Sequence, residues 1–275
     1  MSASPPLVHS FGMAEDRNKS HRRKMEDAQA QHVPLSLPHA GVDAALFSLF
    51  DGHSGRDAAL FCATHVATHV AAALAALSPE RLLESDDALA DALSGAFVAL
   101  NAALAAAAEI PPHQGCTAVV ALLLRVGGVR KLIVGNAGDA RALLLGPGDA
   151  ARFLTVDHVA SDPDEAARVK AAGGFITNDR VNGQLEVTRS IGDQLMKAYV
   201  VSTPHTSVVT LSPDATYLVL GCDGIWDVLD APFISQLLRD PQHAEQDAAG
   251  LSKYVVAWAL QKGSTDNLSA QVIKL

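Results

Sequence analysis

Two apolar runs in this chain end in the same way. Residues 45–50 (ALFSLF) run into Asp51-Gly52-His53-Ser54-Gly55, and residues 218–222 (LVLGC) run into Asp223-Gly224. A short apolar run closed by a glycine-containing corner reads as a buried strand that delivers its last residues to a turn. Glycine lets the backbone there approach whatever the turn faces. The placement recurs with Asp139 after residues 131–135, with Asp266 before residues 268–275, and with Glu26-Asp27 before residues 28–33. Taken singly, each site also reads as an ordinary turn, for which Asn, Gly and Asp are common residues. The segment Asn136-Ala137-Gly138-Asp139-Ala140-Arg141 in particular reads as a hairpin turn. Taken together they place a carboxylate at strand end after strand end. Such carboxylates repel one another when they cluster, unless they are protonated or bridged by cations.

Oxygen-only ligands select Mg²⁺ or Mn²⁺ over zinc, and two such ions sharing a site suit hydrolysis of a phosphate ester. Asp51 offers carboxylate oxygens, Gly52 its carbonyl, and His53 a proton for a leaving group. Arg22, in the basic run Arg22-Arg23-Lys24, suits bidentate contact with a phosphate. Neighbouring residues on a strand point to opposite faces, so of Glu26 and Asp27 at least one is expected to act through water. A two-ion site needs no protein nucleophile. The motifs GxSxG, GxxxxGK[ST] and GxGxxG are absent, which speaks against a serine hydrolase, a P-loop NTPase or a Rossmann enzyme. His65 and His69 have metal-ligand spacing but lack the glutamate of HExxH, so a plain helix face is the better reading.

With 30 acidic against 21 basic residues the formal charge is −9, which disfavours nucleic acid and anionic membranes as partners. The longest unbroken apolar runs, at 70–77 and 118–124, fall short of the roughly 18 residues of a membrane span, and none is expected. Residues 1–10 show no basic start and apolar run of a signal peptide, so a cytoplasmic or nuclear address is the expectation; separately, the chain is expected to be a monomer. Cys62, Cys116 and Cys222 lie far apart in apolar or turn contexts and read as unpaired buried thiols.

Along the chain, strands are expected at 7–13 and 28–33, and Ala- and Leu-rich helices at 56–77 and 86–109. Residues 115–124, 131–135 and 140–145 read as an antiparallel meander. A helix over 161–172 takes Ser161 or Asp162 as its N-cap and Pro163 as its first residue, and stops at Gly173-Gly174. Strands at 206–211, 216–221 and 268–275 and helices at 231–239 and 247–262 complete the pattern. Residues 174–200 are weakly patterned, contain Arg180, and are expected to form a substrate-facing flap within a single domain spanning 1–275.

These residues resemble the metal-dependent protein serine/threonine phosphatases of the PP2C (PPM) family. The matching pieces are Arg22-Arg-Lys-Met-Glu26-Asp27-Ala, Phe50-Asp51-Gly-His53-Ser-Gly55, Gly115-Cys-Thr-Ala, Asn136-Ala-Gly-Asp139-Ala-Arg141, Asp157-His158, Gly173-Gly174, Arg180-Val-Asn-Gly183, Arg189-Ser-Ile-Gly-Asp193, Cys222-Asp223-Gly-Ile-Trp-Asp227 and Thr265-Asp266-Asn267. They occur in the family's order across almost the whole chain. The resemblance implies an α+β fold, a four-layer α-β-β-α sandwich of two antiparallel sheets flanked by helices, with two Mg²⁺ or Mn²⁺ ions in a cleft at one end. It implies that Asp51 bridges both ions, that the Gly52 carbonyl holds one, and that Asp223 and Asp266 hold the other. Glu26 and Asp27 correspond to residues that order metal-bound waters, and Asp139 and Asp227 to a weaker third metal site. Arg22 corresponds to the phosphate-binding arginine, His53 to the general acid, and Arg180 to a residue beside the flap and the substrate. Hydrolysis of phosphoserine and phosphothreonine in proteins by a metal-activated bridging water, without a phosphoenzyme, is the activity this implies.

Two other classes compete with the enzyme reading. A catalytically inactive PP2C-like binding module is disfavoured by the intact set Asp51, His53, Asp223 and Asp266. A purely structural or sensory metal protein leaves Arg22 and His53 without a use.

Overall fold

The computed structural model describes residues 6–148, 150–243 and 245–275. Two five-stranded antiparallel sheets lie face to face. One runs Ser10–Asp16, Leu268–Lys274, Tyr217–Gly221, Arg141–Leu145, Ala151–Phe153 in spatial order. The other runs His205–Thr210, Val129–Ala137, Ala118–Val126, Val42–Phe50, Ala28–His32.

The period of two along the central strands explains the layering. From Val42–Phe50, Ala45, Phe47 and Leu49 enter the core between the sheets, while Ala44, Leu46 and Phe50 enter a second core under the helices. From Ala118–Val126, Val119, Ala121 and Leu123 face the first core and Val120, Leu122 and Leu124 the second. A strand buried on both faces has no polar side to show, which is why these segments read as unbroken apolar runs. The second core is closed by helices Asp57–Ala75 and Asp86–Ala106, through residues such as Val66, Val70, Leu93 and Phe97. Helices Ala231–Arg239 and Ala248–Gln261 cover the outer face of the other sheet, with Ile234, Leu237, Leu251 and Val255 buried there. The four layers are therefore α-β-β-α, as expected.

Asp57–Ala75 and Asp86–Ala106 are long and apolar enough to cross a membrane by length and composition, with mean hydropathies of 1.5 and 1.6. Alanine, leucine and valine together produce that score, and in this fold one stripe of each helix packs on the sheet.

The structure departs from the sequence expectations in several places. The first strand is Ser10–Asp16 rather than 7–13: its pairing with Leu268–Lys274 carries it through Glu15 and Asp16, whose charges are tolerated on an edge strand. Residues 115–124 are not one strand, because Gly115–Cys116 leaves the large sheet to pair with Gly52–His53 and Ile191–Gly192. The segment 136–141 is not a hairpin turn and the meander ends there. Val129–Ala137 and Arg141–Leu145 belong to different sheets, and the chain crosses between them at Gly138, which has φ +103°. Helices Pro79–Glu84 and Asp223–Trp226 were not expected. The helix at 161–172 is Pro163–Ala171, and Asp162 is its cap, accepting from the amides of Asp164 and Glu165.

Residues 174–200 are better organised than an irregular loop. Ile176–Thr177 pairs with Arg180–Val181, and Val181, Met196 and Val200 pack with Ala160 and Val169 in a small core of their own. Beneath them Glu165 accepts hydrogen bonds from Arg168, Arg189 and the Thr188 hydroxyl.

Candidate active site

Val42–Phe50 and Tyr217–Gly221 lie in opposite sheets and stop at the same end of the sandwich. Between their tips lies a cleft of about 290 Å³ lined by Arg22, Glu26, Asp51, Gly52, His53, Thr117, Asp139, Arg180, Asp223 and Asp266, among others. Grooves of about 500 and 710 Å³ elsewhere are larger but contain no comparable acidic cluster. The sequence-expected residues in this lining come from six separate chain segments, while Asp27 and Asp227 do not line the cleft.

Close backbone approach makes the gathering possible. A Cβ at Gly52 would stand 2.3 Å from the Glu26 carbonyl oxygen, and one at Gly224 would stand 2.1 Å from the Asn267 carbonyl oxygen. Asn267 holds the loop that carries Arg22 and Glu26: its Nδ2 donates to the carbonyls of Arg17 and Lys24, and its Oδ1 accepts from the Glu26 amide. The Thr117 amide donates to the Asp51 carbonyl at 2.8 Å, fixing the turn after the strand. Glu26 lines the cleft while Asp27, 1% exposed, is buried beside it, as opposite-facing neighbours must be.

The electrostatics of this group are uncompensated. Ligand atoms of Asp51, Asp223 and Cys222 lie within 4.8 Å of one another. Both carboxylate oxygens of Asp27 and Oδ1 of Asp223 are buried without a hydrogen-bond partner. Burial, with the charges of Asp223 and Asp27 added, drives the Asp51 carboxyl well above the ordinary carboxylate range. Burial pushes Asp27 up to about 7, and burial together with Asp223 pushes Asp139 up to about 7. Asp223 rises to about 6 through burial and the neighbouring Asp266. Asp227, one helical turn beyond Asp223, is raised by burial as well. No Lys or Arg pairs with Asp27, Asp51, Asp139 or Asp223 among the described residues. Orphaned, buried, mutually repelling oxygens fit a divalent cation bound through oxygen. The Cys222 thiol is engaged otherwise: it donates to the Asn267 carbonyl and accepts from the Ser269 amide, and burial pushes its pKa well up.

Around the carboxylates sit the groups that can handle a phosphate. Arg22 pairs with Asp266 and also donates through Nε to the Thr265 carbonyl at 3.1 Å. Arg180 pairs with Glu186 and donates to the Gln184 carbonyl at 2.8 Å. His53 Nε2 contacts the carboxylate of Asp193 at 2.8 and 2.9 Å. Asp193 and Asn267 stand in the sequence motifs, but nothing in the sequence links Asp193 to His53 across 140 residues or shows what Asn267 fastens.

Residues 11–268 match the model of the protein phosphatase 2C family. The chain belongs to that family. Among curated PP2C proteins it is similar to protein phosphatase 2C homolog 1 of Saccharomyces cerevisiae, at 34% identity over 98% of this chain and 94% of the yeast protein. It is 33% identical to protein phosphatase 2C homolog 1 of Schizosaccharomyces pombe over 96% of this chain and 72% of the relative. Among solved structures, the serine-threonine phosphatase 2C of Toxoplasma gondii superposes with a TM-score of 0.79, covering 98% of this chain and 96% of that one at 22% identity. That likeness establishes the PP2C sandwich for this chain.

Proposed function

We propose that this PP2C chain is a Mg²⁺- or Mn²⁺-dependent phosphatase that hydrolyses phosphoserine and phosphothreonine in proteins by direct attack of water. The observation that carries this reading is the cleft itself: Asp51, Asp139, Asp223 and Asp266 line it, with Oδ1 of Asp223 unpartnered, and Arg22, Arg180 and His53 stand around them. The names of the relatives, protein phosphatases of yeast and plants, support the substrate class.

Asp51 and the Gly52 carbonyl, with Asp223 and Asp266, are the residues to hold two cations, which when bound neutralise phosphoryl oxygens and activate water. Asp139 and Asp227 are the candidates for a weaker third site, and Glu26 and Asp27 orient water beside the first two. Arg22 presents its guanidinium fork to the phosphate, and Arg180 takes the substrate side of the cleft. His53 gives a proton to the departing serine or threonine oxygen, an alkoxide otherwise too basic to leave. Among the described residues, neither the thiol nor the hydroxyl beside the carboxylates is activated to form a phosphoenzyme. Cys222 is buried and its thiol pKa is raised, and the Thr117 hydroxyl is bonded to no base.

The test is phosphate release from a phosphothreonine peptide with EDTA, with Mg²⁺ and with Mn²⁺. Turnover that requires the metal supports the reading. A folded protein inert under all three conditions overturns it in favour of an inactive PP2C-like binding module.

A further inference from the structure

We propose that Asp193 is a positioning residue for His53, holding the ring through Nε2 so that Nδ1 is the nitrogen that protonates the leaving oxygen. This rests on the phosphatase reading of the cleft. His53 Nε2 lies 2.9 Å from Asp193 Oδ1 and 2.8 Å from Oδ2. A carboxylate only accepts, so Nε2 is the protonated nitrogen of the neutral ring. With Nε2 committed to a side chain that is only 2% exposed, Nδ1 is the nitrogen left for the cleft that His53 lines.

The pair is built, not incidental. Asp193 adopts a left-handed conformation, φ +50°, a region that few non-glycine residues other than Asn and Asp enter. Its amide donates to the Gln114 carbonyl at 2.8 Å, and the Ser190 hydroxyl donates to its Oδ2 at 2.5 Å. Gly115 passes directly over the contact: a Cβ there would stand 2.2 Å from Asp193 Oδ2 and 2.7 Å from His53 Nε2. Gly52–His53, Gly115–Cys116 and Ile191–Gly192 form one small sheet, so the two partners are fixed in register by backbone pairing.

The proton bookkeeping is simple. In the charged ring both nitrogens carry protons; Nδ1–H passes its proton to the departing alkoxide, and the neutral ring keeps Nε2–H on Asp193 until solvent returns the Nδ1 proton. An orienting carboxylate of this kind fixes tautomer and aim without itself being protonated.

The test compares Asp193→Asn, Asp193→Ala, His53→Ala and the double variant His53→Ala/Asp193→Ala in metal-replete buffer. One substrate is a phosphothreonine peptide, whose leaving group needs a proton, and the other is p-nitrophenyl phosphate, whose leaving group does not. Asp193→Ala is expected to lower kcat on the peptide by about tenfold or more, with KM little changed and a several-fold smaller loss on the aryl phosphate. In the His53→Ala background it adds no further selective loss. Equal losses on the two substrates, or additive losses in the double variant, overturn the proposal. Ring ¹⁵N NMR of the unsubstituted protein gives a readout independent of how the variants fold: Nε2–H in neutral His53 is expected, and the Nδ1–H tautomer overturns the proposal. A wild-type protein that hydrolyses neither substrate with either metal defeats the phosphatase reading, and the NMR tautomer still decides the Asp193 contact.

Discussion

Arg22 and Asp266 face each other at the mouth of the cleft, the guanidinium bonded to the carboxylate and, through Nε, to the Thr265 carbonyl. Their side chains are 45% and 31% exposed, so the pair adds little to stability. Its consequence is aim: the arginine is tethered by one edge beside a candidate metal ligand. Arg22→Ala is expected to raise KM for a phosphothreonine peptide by about tenfold, with a smaller change in kcat, and Arg22→Lys to recover only part of it because an ammonium lacks the planar fork. Steady-state kinetics decide this, and an unchanged KM would remove Arg22 from the phosphate site.

The carboxylate cluster makes metal-free protein sensitive to pH in an unusual direction. A carboxyl whose folded pKa exceeds its unfolded value makes the folded state bind more protons. Its stabilising effect is therefore complete below the unfolded pKa and is lost as pH rises through the folded one. Asp27 and Asp139 at about 7 and Asp223 at about 6 set the window from about 4 to 7. His158, held near 4 by burial, works against them over part of that range, but it is one group against several. In EDTA the Tm is expected to fall between pH 5 and pH 7.5, and Mg²⁺ or Mn²⁺ should flatten that fall. Asp51→Asn, which removes one repelling charge, should raise the EDTA Tm by a few degrees while abolishing turnover. A Tm in EDTA that climbs with pH over this range would contradict the uncompensated cluster.

Gly224 is where fold and chemistry compete for the same space. Its hydrogen faces the Asn267 carbonyl, and a methyl there would also stand 3.2 Å from Asp266 Cβ. Gly224→Ala should therefore push Asp223 and Asp266 apart. A loss of about 1–3 kcal/mol in stability is expected from the overpacking, with a proportionally larger loss of activity that excess metal partly restores. Wild-type kinetics from this variant, measured across a metal titration, would show that the Asp223 to Asp266 spacing is not critical.

Much of this architecture was legible because a sheet buried on both faces must be apolar without interruption. That made residues 45–50 and 118–124 stand out, and the abrupt Asp-Gly at Asp51 and Asp223 marked where they end. Composition and periodicity stop short where one local chemistry serves two geometries. Asn136 to Arg141 has the residues of a hairpin turn, yet Gly138 carries the chain from one sheet to the other. Proximity across the fold was the other blind spot. The pairing of His53 with Asp193 depends on a sheet of two-residue strands, too short to leave a periodic signal. Pro79–Glu84 escaped for the same reason of length.

Glu165 offers a test of how the 174–200 segment, whose Arg180, Leu185, Glu186 and Val187 line the cleft, is held in place. Its carboxylate, with the side chain 8% exposed, accepts from Arg168, Arg189 and the Thr188 hydroxyl. Burial alone would raise its pKa, but the bonds from Arg189, Arg168 and Thr188 outweigh it and lower the carboxyl to about 2. For a depressed carboxyl the stabilisation is complete above the unfolded pKa, near 4.5, and is lost as pH falls toward 2. Glu165→Ala removes the common acceptor of two guanidinium groups that keep backbone carbonyl partners, a change expected to cost about 1–3 kcal/mol. Because Arg189 and Thr188 precede Asp193 on the same stretch of chain, the damage should spread toward the cleft. Hydrogen exchange in residues 174–200 is expected to rise in Glu165→Ala while the sandwich strands Val42–Phe50 and Ala118–Val126 stay protected. Uniform loss of protection across both regions would show instead that Glu165 supports the whole domain rather than this segment.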